Sequence, residues 1–225
     1  VDDAGCGSGK DWPDAEKGFA QLVWFLDQEV GRVMDLLKKR GLAENTLVLF
    51  SSDNGPHQEG GHQSDFFNSN GEFKGIKRDL TDGGIRVPFL AWWPGKVKAG
   101  AISDHVSGFQ DLLPTVADLS GSVLTTETDG LSLKPTLLGE SGQKQHPHLC
   151  WYFGEKGGIN AALKWPWKLI QLNTGSDKKA KKKLKMTSEL YNLEDDIGEE
   201  TNLASKHPEK VKELEQLLTD SYREP

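Results

Sequence analysis

The sequence predicts an α/β fold in which a long helix leads into a short strand and a small antiparallel sheet follows near the C-terminus. The helix is predicted for residues 13–40, where apolar residues recur every three or four positions and form one face. The strand is predicted for residues 47–50, a continuous apolar run that indicates burial on both faces. A helix that turns directly into such a strand is typical of α/β domains.

Local signals place the ends of this first helix. Pro13 suits a first helical turn, and Asp14 and Glu16 complement the positive end of the helix dipole. Basic residues at 38–40 followed by Gly41 are typical of a C-terminal end. A short turn then remains before the strand at residues 47–50.

The middle of the chain predicts two further strands and a helix. Residues 87–93 form an apolar run that Pro94 and Gly95 end, and residues 102–106 are a further candidate strand. Residues 110–119 predict a helix with Pro114 in its first turn, where the missing N–H is tolerated.

A polar stretch rich in Gly, Ser and Gln at residues 139–147 predicts a boundary between residues 1–143 and residues 144–225. Short apolar and aromatic runs separated by turns follow it and predict a small antiparallel sheet, at residues 149–153, 161–163, 167–172 and 190–193. Residues 211–222 predict an amphipathic closing helix.

Composition limits the function classes. The chain has 225 residues, of which 36% are hydrophobic and 27% charged, as is ordinary for a globular domain with a sizeable core. A formal net charge of −7 disfavours nucleic acid as a partner. The apolar runs are too short to span a membrane. Two distant cysteines predict no disulfide framework.

The most informative segment is residues 46–88. Asp53 and Asn54 follow the first predicted strand directly, and open α/β sheets carry their chemistry at the carboxyl ends of strands. A carboxylate and an amide oxygen are hard donors that suit a calcium- or magnesium-type ion. The alternative is an Asx turn in which both side chains satisfy backbone N–H groups.

A long loop follows, with His57, His62, Lys77 and Arg78 among seven glycines. Loops of this length are usually functional or disordered. The aromatic side chains of the loop argue against disorder; they are Phe66, Phe67 and Phe73.

Four short motifs occur in order in this segment: Ser-Asp-Asn-Gly at 52–55, Phe-Phe-x-Ser-Asn-Gly at 66–71, Gly-x-Lys-Arg at 75–78 and Asp-Gly-Gly-Ile-Arg-Val-Pro at 82–88. They resemble the C-terminal half of the formylglycine-dependent sulfatases, members of the alkaline-phosphatase-like superfamily. The resemblance extends to Trp-Pro at 12–13, Glu-Leu-Tyr-Asn-Leu at 189–193 and Thr-Asn-Leu-Ala at 201–204. It implies part of an alkaline-phosphatase-like mixed sheet flanked by helices, plus a small C-terminal antiparallel sheet with a terminal helix.

The resemblance also implies roles for individual residues. One divalent cation, usually Ca²⁺, would be bound by Asp53 and Asn54 together with two aspartates near the family's N-terminus. Lys77 would touch the sulfate and assist catalysis, which agrees with the need to neutralise sulfuryl oxygens. His57 and His62 are candidate substrate contacts, although each could protonate a leaving alcohol or simply pack in the loop.

For the two arginines of this segment we predict a role in holding the loop in place rather than in contacting the substrate. We expect Arg78 and Arg86 to pair with carboxylates such as Asp79 or Asp82.

The family's nucleophile has no counterpart in the sequence. Formylglycine is made within Cys/Ser-x-Pro/Ala-x-Arg, and neither Cys6 nor Cys150 stands in that context. We therefore expect the C-terminal part of a sulfatase, inactive alone, which needs the N-terminal half of the domain as a partner for the remaining metal ligands and the formylglycine.

The expected activity of the parent protein is sulfuric ester hydrolysis, with a sulfated carbohydrate as substrate and a periplasmic or secreted location by resemblance. Two alternatives stay open: a phosphatase or phosphodiesterase of the same superfamily, and a non-catalytic protein that binds sulfated glycans. The six lysines within residues 178–185 predict either a solvated hairpin tip or an anchor for a polysulfated glycan.

Overall fold

The computed structural model describes residues 11–176 and 184–222. The lysines at 178–183 and Cys6 lie outside the described residues. The helices are α1 (Asp14–Lys39), α2 (Asp82–Ile85), α3 (Leu112–Ser120), α4 (Lys134–Leu138) and α5 (Pro208–Ser221). The strands are β1 (Val48–Ser51), β2 (Phe89–Trp92), β3 (Leu149–Phe153), β4 (Ile159–Lys164), β5 (Trp167–Leu172) and β6 (Thr187–Asn192).

The described chain forms two compact units, and α1 contributes to both. The first unit contains residues 11–22 and 52–88 together with the described residues from 148 to 222. The second unit contains residues 23–51 and 89–147. The predicted division into residues 1–143, the C-terminal part of a catalytic α/β domain, and residues 144–225, a C-terminal α+β subdomain, stays a prediction.

In the second unit, β1 and β2 form a two-stranded antiparallel sheet in which Val48 lies opposite Trp92 and Ser51 opposite Phe89. The prediction that the first strand is buried on both faces was wrong for the described residues, because all four residues of β1 are only half-buried. A continuous apolar run becomes buried on both faces only where other elements cover it, and among the described residues β2 is its one strand partner.

The predicted strand at residues 102–106 was also wrong. This segment has no regular secondary structure, and the Ile102 side chain is exposed. The helix predicted for residues 110–119 is confirmed as α3, with Pro114 in its first turn.

Many apolar side chains of the second unit are exposed. On α1 they include Val23, Leu26, Val33 and Leu36, on β2 Leu90, and on α3 Leu113 and Val116. Large contiguous apolar patches mark places where other protein packs, so these exposed side chains are candidates for such a contact.

In the first unit, β3, β4, β5 and β6 form an antiparallel sheet in chain order. Helix α5 packs on it: Leu214 and Leu218 lie against Ala162, Leu169 and Leu190 in a fully buried apolar cluster. The predicted C-terminal sheet and closing helix are therefore confirmed. None of the helices in the described ranges is long and apolar enough to cross a membrane.

The contact between α5 and the sheet gives a test of the fold. Leu214→Ala should lower the free energy of unfolding by about 2–5 kcal/mol, because it leaves a cavity in a packed core. Chemical denaturation followed by circular dichroism measures the change. Leu36→Ala, at a half-exposed position of α1, is the control and should cost far less. Equal losses in the two variants would contradict the packing of α5.

Candidate active site

The candidate metal ligands follow β1 directly. Asp53 is exposed and Asn54 is half-buried. The Asn54 amide donates from Nδ2 to the Gly55 carbonyl oxygen at 2.9 Å, which leaves its Oδ1 atom as the donor for a cation. Among the described residues no cluster of three or more His, Cys, Asp or Glu side chains could hold a metal ion. Asp53 and Asn54 thus supply oxygen donors of the right chemistry but only a partial ligand set.

Two backbone hydrogen bonds fix the Lys77 loop to the turn after β1. The Lys77 N–H donates to the Pro56 carbonyl oxygen at 2.8 Å, and the Gly55 N–H donates to that of Gly84 at 2.9 Å. The approach is so close that a Cβ on Gly55 would lie 1.8 Å from the carbonyl oxygen of Gly83. Glycine is therefore required at position 55, which explains the last residue of the Asp-Asn-Gly motif.

Lys77 lies in a tight turn. The Asp79 N–H donates to the Ile76 carbonyl oxygen at 2.9 Å, and the Asp79 side chain accepts from the Ile76 N–H at 3.0 Å. Arg78, the third residue of the turn, has φ of 75°, a left-handed conformation that normally favours glycine. The turn presents Lys77 and Arg78 side by side at the surface.

Glu59 is the carboxylate that faces both cations. Its Oε1 atom accepts from Lys77 Nζ at 3.1 Å and lies 3.6 Å from Arg78 Nη1. The hydrogen bond and the charge of Lys77 lower the pKa of Glu59 below its usual value, with a smaller contribution from Arg78. Glu59 is accordingly an ionised partner of the candidate catalytic lysine.

The turn between β3 and β4 lies against the same loop. Glu155 Oε2 is 3.4 Å from Arg78 Nε, and Lys156 Nζ donates to Asp79 Oδ1 at 2.7 Å. Arg78 therefore pairs with carboxylates, as expected, but not with the two that were named as examples, Asp79 and Asp82. The left-handed backbone of Arg78 directs the guanidinium to Glu59 and Glu155 instead.

His57 and His62 differ in their surroundings. His57 is half-buried, and its Nδ1 accepts from the Glu59 N–H at 3.0 Å. His62 is buried, and its ring is stacked on Phe19 at 3.7 Å between centroids. Its Nδ1 atom lies 2.5 Å from Glu16 Oε2. Contact with substrate stays a prediction for both residues, and the structure gives His62 a packing role as well.

Glu16 binds His62 from the first turn of α1. Desolvation acts to raise the pKa of Glu16, but hydrogen bonds from the Gln63 N–H and from His62 outweigh it and lower that pKa. The ionised carboxylate ties α1 to the loop that carries His57 and His62.

A group of three buried charges anchors the other side of the loop. Lys168 on β5 is fully buried, and its Nζ atom lies 2.5 Å from Asp82 Oδ1 and 2.9 Å from Glu199 Oε1. Glu199 Oε2 also accepts from the Asp82 N–H at 2.6 Å. Burial raises the pKa of Glu199, and Lys168 partly offsets that effect. Arg86 pairs with Asp82 at 3.4 Å, as expected from the sequence.

Lys74 adds a second link to the same region. Its Nζ atom donates to the Glu199 carbonyl oxygen at 2.9 Å and lies 5.3 Å from the centre of the Tyr191 ring. Burial, with the nearby carboxylate of Glu189, raises the pKa of Tyr191. Lys74 therefore has a structural role that Lys77, in the same loop, does not share.

Part of the chain matches a known protein family. Residues 15–122 match the family model described as Sulfatase. This segment belongs to the sulfatase family. The chain is 41% identical over 138 residues to the steryl-sulfatase of Rattus norvegicus, covering 60% of this chain and 24% of that protein. It is 36% identical over 162 residues to the N-acetylgalactosamine-6-sulfatase of Homo sapiens, covering 66% and 29%.

Solved structures share the fold. The chain resembles Ps i-CgsB with a TM-score of 0.76 at 26% identity, over 94% of this chain and 44% of that one. It resembles a Bacteroides thetaiotaomicron protein, described in terms of the metabolism of multiple glycosaminoglycans, with a TM-score of 0.67 at 28% identity, over 89% and 44%. The predicted fold class, part of an alkaline-phosphatase-like α/β fold with a small C-terminal sheet, is confirmed. The chain spans about a quarter of the length of these two curated sulfatases.

The buried charges give a test of how the loop is held. Lys168→Met should lower the free energy of unfolding by about 3–5 kcal/mol, because it leaves Glu199 buried without a cation and Asp82 with Arg86 alone. Urea denaturation measures the loss. Lys206→Met, at an exposed position of the same unit, is the control and should change stability by less than about 0.5 kcal/mol. A Lys168→Met protein as stable as the control would contradict the anchoring role.

Proposed function

We propose that a protein containing this chain hydrolyses sulfate esters and that its substrate is a sulfated carbohydrate. One observation carries the proposal: the family's motif segment holds Lys77 by its backbone next to the turn with Asp53 and Asn54. Sulfuryl transfer needs cationic groups at the sulfate oxygens, because their charge must be neutralised as the S–O bond breaks.

The carbohydrate class is supported by the names of the relatives. One is an N-acetylgalactosamine-6-sulfatase, and Ps i-CgsB has been solved in complex with k-i-k-neocarrahexaose. Steryl-sulfatases are similar to the chain as well, so a sterol sulfate is the substrate to test against the carbohydrate. We assign the parent protein a periplasmic or secreted location on the same family grounds.

Lys77 has the accessibility that this role requires. Its side chain is 31% exposed, and its partner Glu59 is 53% exposed. An ion pair at the surface contributes little to stability, so Lys77 is available to a substrate anion. Lys74 and Lys168 are held by buried partners and cannot serve in its place.

Asp53 and Asn54 would hold a divalent cation, with Ca²⁺ as the ion that fits hard oxygen donors. When bound, such an ion polarises sulfuryl oxygens as a Lewis acid. We propose that the remaining ligands and the formylglycine nucleophile come from the N-terminal half of a sulfatase domain. That half would also cover the exposed apolar side chains of α1, β2 and α3.

Replacing the lysine tests the catalytic role. In a protein that contains this chain and a complete sulfatase domain, Lys77→Ala should lower kcat on a sulfated sugar by about 100- to 1000-fold, as for the loss of one preorganised electrostatic contact. KM should change less, because the charge contact strengthens as the bond breaks. Steady-state kinetics on sulfate and phosphate esters of one sugar measure both constants.

The control is Lys206→Ala, since Lys74 is tied to the Glu199 carbonyl and its loss would disturb the loop. Unchanged turnover in Lys77→Ala would end the catalytic assignment. A preference for the phosphate ester would favour the phosphatase alternative, and binding of sulfated glycan without turnover would favour the non-catalytic one.

The 225-residue chain alone should bind calcium weakly and release no 4-nitrophenol from its sulfate ester. Asp53 and Asn54 supply too few donors for an ion that takes about 6–8 oxygen ligands. Isothermal calorimetry measures the calcium affinity, and absorbance follows the product. Steady hydrolysis by the pure chain would overturn this assignment of the missing groups to another segment.

A further inference from the structure

We propose that Lys77 and Arg78 form a two-cation site for one oxygen of the substrate's anionic group, and that Glu59 occupies this site until the substrate displaces it. The identity of the anion as a sulfate ester rests on the proposed function. The site itself rests on the geometry of three side chains, and it gives Arg78 and Glu59 roles that the sequence did not predict.

Both cations converge on a single carboxylate oxygen. Glu59 Oε1 lies 3.1 Å from Lys77 Nζ and 3.6 Å from Arg78 Nη1. A carboxylate oxygen and a sulfate oxygen carry similar partial charge and accept similar hydrogen bonds. The Oε1 atom of Glu59 therefore stands where an oxygen of a bound sulfate ester can be held by the same two groups.

The backbone of Arg78 supports a binding role. Its φ of 75° places it in the left-handed region at a turn position where glycine is usual. A side chain there is unfavourable for stability, and residues in such conformations cluster at functional sites. The strained arginine is explained if its guanidinium is needed beside Lys77.

The strength of the contacts makes Glu59 displaceable. All three side chains are partly exposed: Lys77 31%, Arg78 49% and Glu59 53%. Exposed ion pairs are weak and easily exchanged. Arg78 has a second partner in Glu155, 3.4 Å from its Nε atom. This contact keeps the guanidinium in place when Glu59 leaves.

The test measures anion binding by the 225-residue chain, so that it is independent of any hydrolysis. The ¹⁵N-labelled chain is titrated with methyl sulfate, against sodium chloride at equal ionic strength, while the backbone amides of Lys77 and Arg78 are followed by NMR. Glu59→Gln should lower the dissociation constant of methyl sulfate about two- to fivefold, because it removes a competing ion pair of ordinary surface strength.

The matched control is Glu213→Gln. Glu213 also lies between two cations, with Lys164 Nζ at 2.5 Å and Lys210 Nζ at 3.0 Å. The substitution Glu213→Gln makes the same change in net charge as Glu59→Gln. It should leave methyl sulfate binding at Lys77 and Arg78 unchanged. An equal gain in the control would show a general charge effect and overturn the proposal.

Arg78→Gly tests the second cation in a form that suits the left-handed backbone. We expect an unchanged or higher midpoint of thermal unfolding together with a dissociation constant raised about threefold or more. Should Glu59→Gln fail to fold, Glu59→Ala carries the same forecast. Weaker binding in the Glu59 variants would mean that Glu59 only positions the cations, and it would overturn the proposal. The proposal would also be overturned if methyl sulfate shifted the amide signals of residues 77 and 78 in none of the variants.

If these titrations succeed while the parent enzyme lacks sulfatase activity, the anion site stands and the proposed function falls. If the parent enzyme has full sulfatase activity while Glu59→Gln does not change methyl sulfate binding, the proposed function stands and the two-cation site falls.

Discussion

The buried contact of Lys168 with Asp82 and Glu199 fixes the loop on which the candidate site depends. The three charges are almost fully removed from water, and the Asp82 N–H adds a hydrogen bond to Glu199. Burying charges costs several kcal/mol per ion unless each has its partner. In this arrangement of the loop each of the three charges has a partner, and the contacts join β5, α2 and the turn after β6.

Burial separates the two lysines that are central to this site. Lys168 and Lys77 each lie about 3 Å from a carboxylate, but Lys168 is fully buried and Lys77 is 31% exposed. In a dry environment an ion pair cannot exchange without leaving an uncompensated charge. At the surface, water and salt screen the same contact and make it replaceable. The chain thus uses lysine–carboxylate ion pairs in two ways: the buried pair makes the loop rigid, and the exposed pair can be replaced by another anion.

Sequence patterns predicted the elements whose signals are local. The periodicity of α1 and the short runs of the C-terminal sheet gave the helix and strands to within a few residues. The prediction that β1 is buried on both faces was wrong, because burial depends on which elements cover a strand. An apolar run in the sequence gives no information about those elements. The strand predicted at residues 102–106 was wrong for the same reason, because apolar residues such as Ile102 form no strand without a neighbouring strand to pair with. The motifs located Lys77 but not Glu59, because an exposed glutamate carries no distinguishing pattern.

The residues that contact the motifs could be identified only from the structure, but one of them could have been suspected from the sequence. Lys168 is the one charged residue of the mostly apolar strand β5, on the face opposite Leu169, and it is fully buried. A buried lysine requires a carboxylate, and the Asp-Gly-Gly motif begins with one at Asp82. The absence of any room for Cβ atoms on Gly83 and Gly84 then explains the rest of that motif. The motif residues at 82–84 thus act through packing and charge burial, and they hold the loop from which Lys77 and Arg78 reach the surface.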